Sequence, residues 1–312
     1  MQLQNEILKT LLYYDIWSYP LRAKELFTFL PVNSMTLEQF NELLKSEATG
    51  NTILEHDGFY FVKGKTPLVV SDRQRREAHA KRMWLMARLS MHIIKRFPFV
   101  RAVFISGDLS KNATHSKSDV DFFIITEPSR LWITRSLLIL FKKVFLLNSK
   151  KFFCLNYFAT TENLTLEEQN IFQATEVATL KPLFNSTMFF RYLEANRWIK
   201  QYFPNFDVRL IPLPKASERQ SKIQKLFEFP FSFFNATKLD EHLMIKMEKI
   251  WAKRYPVFDE ETRRRIFKCT RSESRAYVGN FEEKILALYQ QRLRDFGLQP
   301  LYETVGRRGV MI

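Results

Sequence analysis

Between Ile105 and Thr126 the chain reads Ile-Ser-Gly-Asp-Leu-Ser-Lys-Asn-Ala-Thr-His-Ser-Lys-Ser-Asp-Val-Asp-Phe-Phe-Ile-Ile-Thr, a glycine turn followed by an acid pair set inside an apolar run. Val120 and Phe122 to Ile125 are β-branched, aromatic or aliphatic, which predicts a strand over 119–126. Side chains two apart on a strand share one face, so Asp119 and Asp121 are expected to project together. Two adjacent carboxylates repel unless a cation lies between them. An oxygen-only pair suits a hard ion such as Mg²⁺, which commonly also takes substrate phosphates. Val100 to Ser106 predicts an earlier strand that ends at the Gly107 turn.

This stretch resembles the signature of the DNA polymerase β-like nucleotidyltransferase superfamily: a hydrophobic residue, Gly, then Gly or Ser, a short spacer, and two Asp separated and followed by hydrophobic residues. Gly107, the spacer Leu109 to Ser118, and Asp119-Val120-Asp121-Phe122 fill that pattern. The resemblance implies transfer of a nucleoside monophosphate from an NTP, ATP foremost, to a hydroxyl acceptor, with Mg²⁺ or Mn²⁺ as cofactor. It assigns catalysis and metal binding to Asp119 and Asp121. It places the nucleotide against Ser106, Gly107, Asp108, Ser110, Lys111, Asn112 and Ser118. On the next predicted strand, 151–160, Asn156 stands where the family carries a third carboxylate, and is the expected third metal ligand. Asp108 occupies the Gly/Ser position and adds a negative charge there. Asp108 and Glu162 are the candidate substitutes for the missing carboxylate. The resemblance spans Val100 to Ala159, and the flanks carry no motif that names the acceptor.

The expected fold class is α+β: a small mixed β-sheet nucleotidyltransferase core flanked by helices, an N-terminal winged helix and a helical C-terminal region. Residues 1–66 predict the winged helix. Ile7, Leu8, Leu11 and Leu12 recur at helical spacing, Leu21 to Leu30 suits a second helix, and Thr36 to Glu47 a third. Asp57-Gly58 is a two-residue turn between strand formers. The third helix carries Glu38, Glu42 and Glu47 against Lys45, which favours packing or protein contact over phosphate contact. Residues 67–205 are the expected nucleotidyltransferase domain. Its leading helix, 71–96, has an arginine-rich start and a stripe of Trp84, Leu85, Leu89, His92 and Ile93. Thr165 with Glu168 predicts a capping box for a helix that carries Glu176, and 189–202 predicts another helix. Residues 206–312 are read as linker and helical C-terminal region. The proline-punctuated stretch 204–236 holds an aromatic strip, Leu226 to Phe234, expected to pack back on the preceding domain; an oligomer contact and a membrane-surface anchor are the alternatives.

A formal net charge of +15 points to a polyanionic substrate, nucleic acid or an anionic membrane surface, and a protein partner also stays open. Cys154 and Cys269 lie far apart in no metal-ligand spacing, which predicts reduced thiols and a cytoplasmic location. The first residues have neither a basic n-region nor an apolar h-region, so no secretory signal is expected. No apolar run is long enough for a transmembrane segment. P-loop, dinucleotide-binding and zinc-ligand patterns are absent. Two further classes stay open: a catalytically degenerate nucleotide-binding protein, for which Asp108 and Asn156 speak, and a winged-helix nucleic-acid-binding regulator.

Overall fold

The computed structural model describes residues 2–47, 52–214, 220–276, 281–299, 302–303 and 310–311. It is an α+β fold with open, mixed sheets. At the N-terminus α1 (Gln2–Asp15) buries Ile7, Leu8, Leu11 and Leu12. The second helix does not begin at Leu21. Leu21–Arg22 forms a short strand, β1, and α2 (Ala23–Thr28) starts only where the Glu25 carboxylate accepts the Arg22 N–H at 2.8 Å. After α3 (Leu37–Glu47), β2 (Ile53–His56) and β3 (Phe59–Val62) form a hairpin. Asp57 and Gly58 both take positive φ, 50° and 75°, as a tight two-residue hairpin turn requires. Sheet order is β1-β3-β2.

The long helix α4 (Leu68–Ile94) starts three residues before the expected 71 and buries a different stripe from the one its large residues suggest. Ala80, Met83, Ala87, Met91 and Ile94 face the core, while Leu85 and Leu89 are 58% and 52% exposed. Alanines on the inner face let the helix lie close to the sheet. Arg73 of α4, 2% exposed, holds this helix to the N-terminal unit. Its guanidinium donates to Glu77 at 2.9 Å, Glu25 at 2.7 Å and the Pro20 carbonyl at 3.0 Å, and lies 3.6 Å from the Tyr19 ring centroid. Removing the buried guanidinium costs its hydrogen bonds and its contact with the Tyr19 ring and leaves Glu25 without its salt-bridge partner, while Glu77 keeps Arg22. Arg73→Ala is therefore expected to destabilise the fold by about 3 kcal/mol in chemical denaturation; a loss under about 1 kcal/mol would mean that the network is not holding α4.

The main sheet comprises β4 (Val100–Ser106), β5 (Asp121–Thr126), β6 (Cys154–Thr160), β7 (Lys181–Phe184), β8 (Phe267–Cys269) and β9 (Glu273–Ala276), in the order β7-β4-β5-β6-β9-β8. The short helix α5 (Gly107–Ser110) follows β4 directly. Helix α6 (Leu131–Phe145) is the crossover that the parallel β5/β6 pair needs; all other neighbours in the sheet are antiparallel. Period-two alternation sorts β5 between two cores. Phe122 and Ile124 face α4 and α6, and Phe123 and Ile125 face the opposite layer. That layer holds α7 (Ile171–Thr179), α8 (Ser186–Ala195) and a 3₁₀ segment at Arg197–Gln201. Asp121 shares the parity of Phe123, so it opens toward α7.

Two sequence expectations change here. Thr165 and Glu168 form no capping box; α7 opens at Ile171 with Asn170 accepting the Gln173 N–H. Glu168 instead pairs with Arg275 at 2.7 Å. The helix expected over 189–202 breaks at Asn196, whose buried amide donates to the Leu164 carbonyl at 2.7 Å and accepts from the Leu166 N–H at 2.9 Å. Helix α9 (Lys222–Glu228) lies within the proline-punctuated stretch, whose residues 215–219 lie outside the described residues, and α10 (Ala236–Arg254) and α11 (Glu260–Ile266) come after it. Helix α12 (Phe281–Asp295) returns to α1, with the Tyr13 and Tyr289 rings 5.2 Å apart and Arg292 paired to Asp15. Among the described residues no helix is long and apolar enough to cross a membrane.

Candidate active site

Antiparallel pairing of β4 with β5 sets Ser106 opposite Asp121. Gly107, next along, turns with φ +65°, and a Cβ added there would lie 2.5 Å from Asp121 Oδ2. Only glycine satisfies both the left-handed backbone and that approach. The strand begins at Asp121, with Asp119 just before it. Between them Val120 is fully buried, its N–H bonded to the Lys151 carbonyl and its carbonyl accepting from the Cys154 N–H.

On the neighbouring strand, Phe122 pairs with Leu155 but Phe123 pairs with Tyr157. Asn156 is the extra residue of a bulge, which frees it from the ladder and re-aims its side chain. It lines the same cavity as Asp121, of about 480 Å³. Ser106, Gly107, Asp108, Lys111 and Glu176 also line this cavity; Ser110, Asn112, Ser118 and Asp119 do not.

The charge balance around Asp121 is unusual. Burial first, and then the charges of Asp119, Asp108 and Glu176, push its carboxyl up to about 7, against a hydrogen bond with Cys154 that pulls it down. No ion pair among the described residues includes Asp119 or Asp121. Lys111, which lines the cavity, is committed elsewhere: its ammonium is 2.7 Å from Glu176 and 3.2 Å from the Gly107 carbonyl.

Most of the side chains expected to hold phosphates already have protein partners. Ser110 Oγ donates to the Gly107 carbonyl at 2.8 Å. Asn112 Oδ1 accepts from the Trp84 indole at 2.7 Å. Ser118 Oγ donates to Asp108 Oδ2 at 2.6 Å and accepts from the His115 N–H at 3.0 Å. His115 Nε2 lies 3.8 Å from the same Asp108 oxygen. Asp108 thus braces the spacer loop.

The far wall of the cavity comes from outside the motif: Tyr13, Tyr14, Trp17 and Tyr19 in and after α1, Arg76 of α4 and Glu282 of α12. Apart from Arg76, part of the arginine-rich start of α4, these residues belong to no motif in the sequence. Their one local signal is the density of aromatic residues from Tyr13 to Tyr19, which helical periodicity alone counts as core.

Among the described residues, no three His, Cys, Asp or Glu side chains converge as a metal-binding group. The oxygen donors on the cavity wall are the Asp121 carboxylate and the Asn156 amide, and the charge of Asp119 reaches Asp121 from outside that lining. A hard divalent ion fits that oxygen chemistry, because it would satisfy a carboxylate that burial and like charges now disfavour. No protein-family model, curated protein or solved structure matches the chain.

Proposed function

We propose that this protein is a divalent-metal-dependent nucleotidyltransferase of the DNA polymerase β-like type, acting on an NTP, ATP foremost, and a hydroxyl acceptor. The observation that carries this reading is the juxtaposition of Gly107, Asp121 and Asn156. A glycine turn that only glycine can make presses on an unpaired carboxylate, beside a bulged amide, at one cavity. Asp119 and Asp121 would hold Mg²⁺ or Mn²⁺, with Asn156 as a neutral third oxygen. The chemistry a divalent ion supplies when bound there is neutralisation of phosphate charge and a lowered pKa for the attacking hydroxyl. Gly107 leaves the backbone bare where a triphosphate approaches, and Arg76 supplies a cationic group on the cavity wall. Trp17, half-buried on the cavity wall, would offer a flat face to a base or to an aromatic acceptor. Purified protein, labelled NTPs, Mg²⁺ or Mn²⁺ and cell extract test the reading. A labelled acceptor formed with stoichiometric pyrophosphate supports it; nucleotide hydrolysed to diphosphate and phosphate contradicts it.

One observation favours a second reading, a nucleotide-binding protein without turnover. Ser110, Asn112 and Ser118 have protein partners, and Asp108 adds charge where the family places Gly or Ser. Asp108→Ser is expected to tighten Mg-ATP binding about threefold to tenfold, since it removes one carboxylate from the phosphate approach. Calorimetric titration measures this, and weaker binding in the variant would make Asp108 a ligand rather than an obstacle. The helices α1–α3 with the sheet β1-β3-β2 support a winged-helix reading of the N-terminal region. Helix α3 exposes Glu38 and Glu42 beside Lys45, which supports a packing or protein-contact role.

A further inference from the structure

The aromatic strip within the proline-punctuated stretch is amphipathic with its polar side turned inward. Three side chains fix it to the sheet end. Gln224, fully buried, donates to the carbonyls of Phe97 at 3.1 Å and Val100 at 2.7 Å. Glu228 accepts from the Phe99 N–H at 2.7 Å and from Arg101 at 2.9 Å. Phe231 packs edge-on against Phe99, with ring centroids 5.3 Å apart. With these three committed inward, the outer surface is left to apolar residues. Leu226 is 67% exposed, Phe227 55%, Phe229 60%, Phe233 73%, Phe234 49% and Ile223 46%. Packing back on the preceding domain, the sequence expectation, holds for Phe231 and fails for these, because the inner face is already taken by Gln224 and Glu228.

Isolated exposed apolar residues are ordinary, but six within one short segment, with the Phe229 and Phe233 rings 4.8 Å apart, mark an interaction surface. Its charge selects the partner. Lys222, Lys225 and Lys238 are exposed around it, and the only acid between Lys222 and Lys238 is Glu228, already paired with Arg101. We propose that this face binds an anionic lipid bilayer, inserting the phenylalanines among the acyl chains while the lysines meet lipid headgroups. A second copy of the chain fits less well, since a symmetric contact would bring these lysines against each other on a molecule of net charge +15. The inference is independent of the nucleotidyltransferase reading.

Vesicle co-sedimentation of the full chain tests it, with phosphatidylcholine alone and with phosphatidylcholine mixed with phosphatidylglycerol. A basic protein adheres to anionic vesicles by charge alone, so the deciding variants keep the charge. Phe233→Ser alone, and Phe229→Ser with Phe233→Ser, alter only exposed side chains, and unchanged thermal melts would verify their folding. The double variant is expected to lose affinity for mixed vesicles at least about tenfold. Leu85→Ser with Leu89→Ser, on the exposed face of α4, should bind as the wild type does. Lys222→Gln, Lys225→Gln and Lys238→Gln together should weaken binding and flatten its salt dependence. Wild-type affinity in the folded Phe229/Phe233 variant overturns the proposal, as does equal binding to neutral vesicles. A wild-type dimer in sedimentation equilibrium that the same variant dissolves would also overturn it, by assigning the face to a second copy.

Discussion

Replacing Asp121 by Asn should abolish metal-dependent nucleotide chemistry while making the metal-free protein more stable above neutral pH. Both effects come from one buried carboxylate. Its ordinary value of 3.8 is raised to about 7 in the fold, so the folded state holds a proton that the unfolded state releases. That contribution to stability is complete below about pH 4 and disappears as pH rises through about 7. Integrated over this window it is on the order of 4 kcal/mol. Asparagine keeps the shape and cannot ionise, so its contribution is flat. Asp240, Glu273 and Glu282 are raised as well, and the readout is therefore the difference between wild type and variant in denaturant unfolding at pH 5 and pH 8. The variant should gain on the wild type as pH rises. A constant difference would mean that Asp121 is not the strained group. In the transfer assay the same variant should lose at least about a thousandfold in rate, because one of its two carboxylates is gone.

Gly107→Ala is expected to damage the site through the backbone. The residue sits at φ +65°, and the new Cβ would fall 2.5 Å from Asp121 Oδ2. The left-handed conformation alone costs about 1 kcal/mol for alanine. Relieving the contact must also displace either the turn or the carboxylate. Misplacement of reacting groups by about 1 Å lowers rates on the order of a hundredfold. Nucleotide affinity and transfer rate should both fall, with a loss of stability of about 2 kcal/mol or more. Gly58, also at positive φ but with open space around its Cβ position, is the matched control. Gly58→Ala should show the backbone cost without the loss of activity, and equal losses in both variants would remove the special role of Gly107.

The strand from Asp121 on and the glycine turn were legible because they obey local rules, β-branched content and a break in the apolar run; the shared face expected of Asp119 and Asp121 was not met, because the strand starts only at Asp121 and Asp119 does not line the cavity. The bulge at Asn156 was not, since it is a property of how β6 registers against β5, although the residue itself stood out as the polar side chain on that strand. The buried stripe of α4 was misread because large apolar residues outweigh alanine in any pattern count, whereas close packing on a sheet rewards alanine. The break at Asn196 depends on a loop some thirty residues earlier in the chain, where the same amide bonds Leu164 and Leu166. The cavity's aromatic wall comes from α1 and the residues just after it, and no spacing within the motif reaches that far. The inverted strip 222–238 was visible as composition, but its orientation depends on Gln224 and Glu228 finding partners at Phe97, Val100, Phe99 and Arg101.

Calorimetric titration of ATP into the wild type and into Asp121→Asn, each with Mg²⁺ and with EDTA, tests the candidate site most directly. Saturable binding to the wild type that requires Mg²⁺ and disappears in Asp121→Asn is the expected result. Binding that persists in EDTA, or that Asp121→Asn leaves intact, would contradict a metal-bound nucleotide at Gly107 and Asp121.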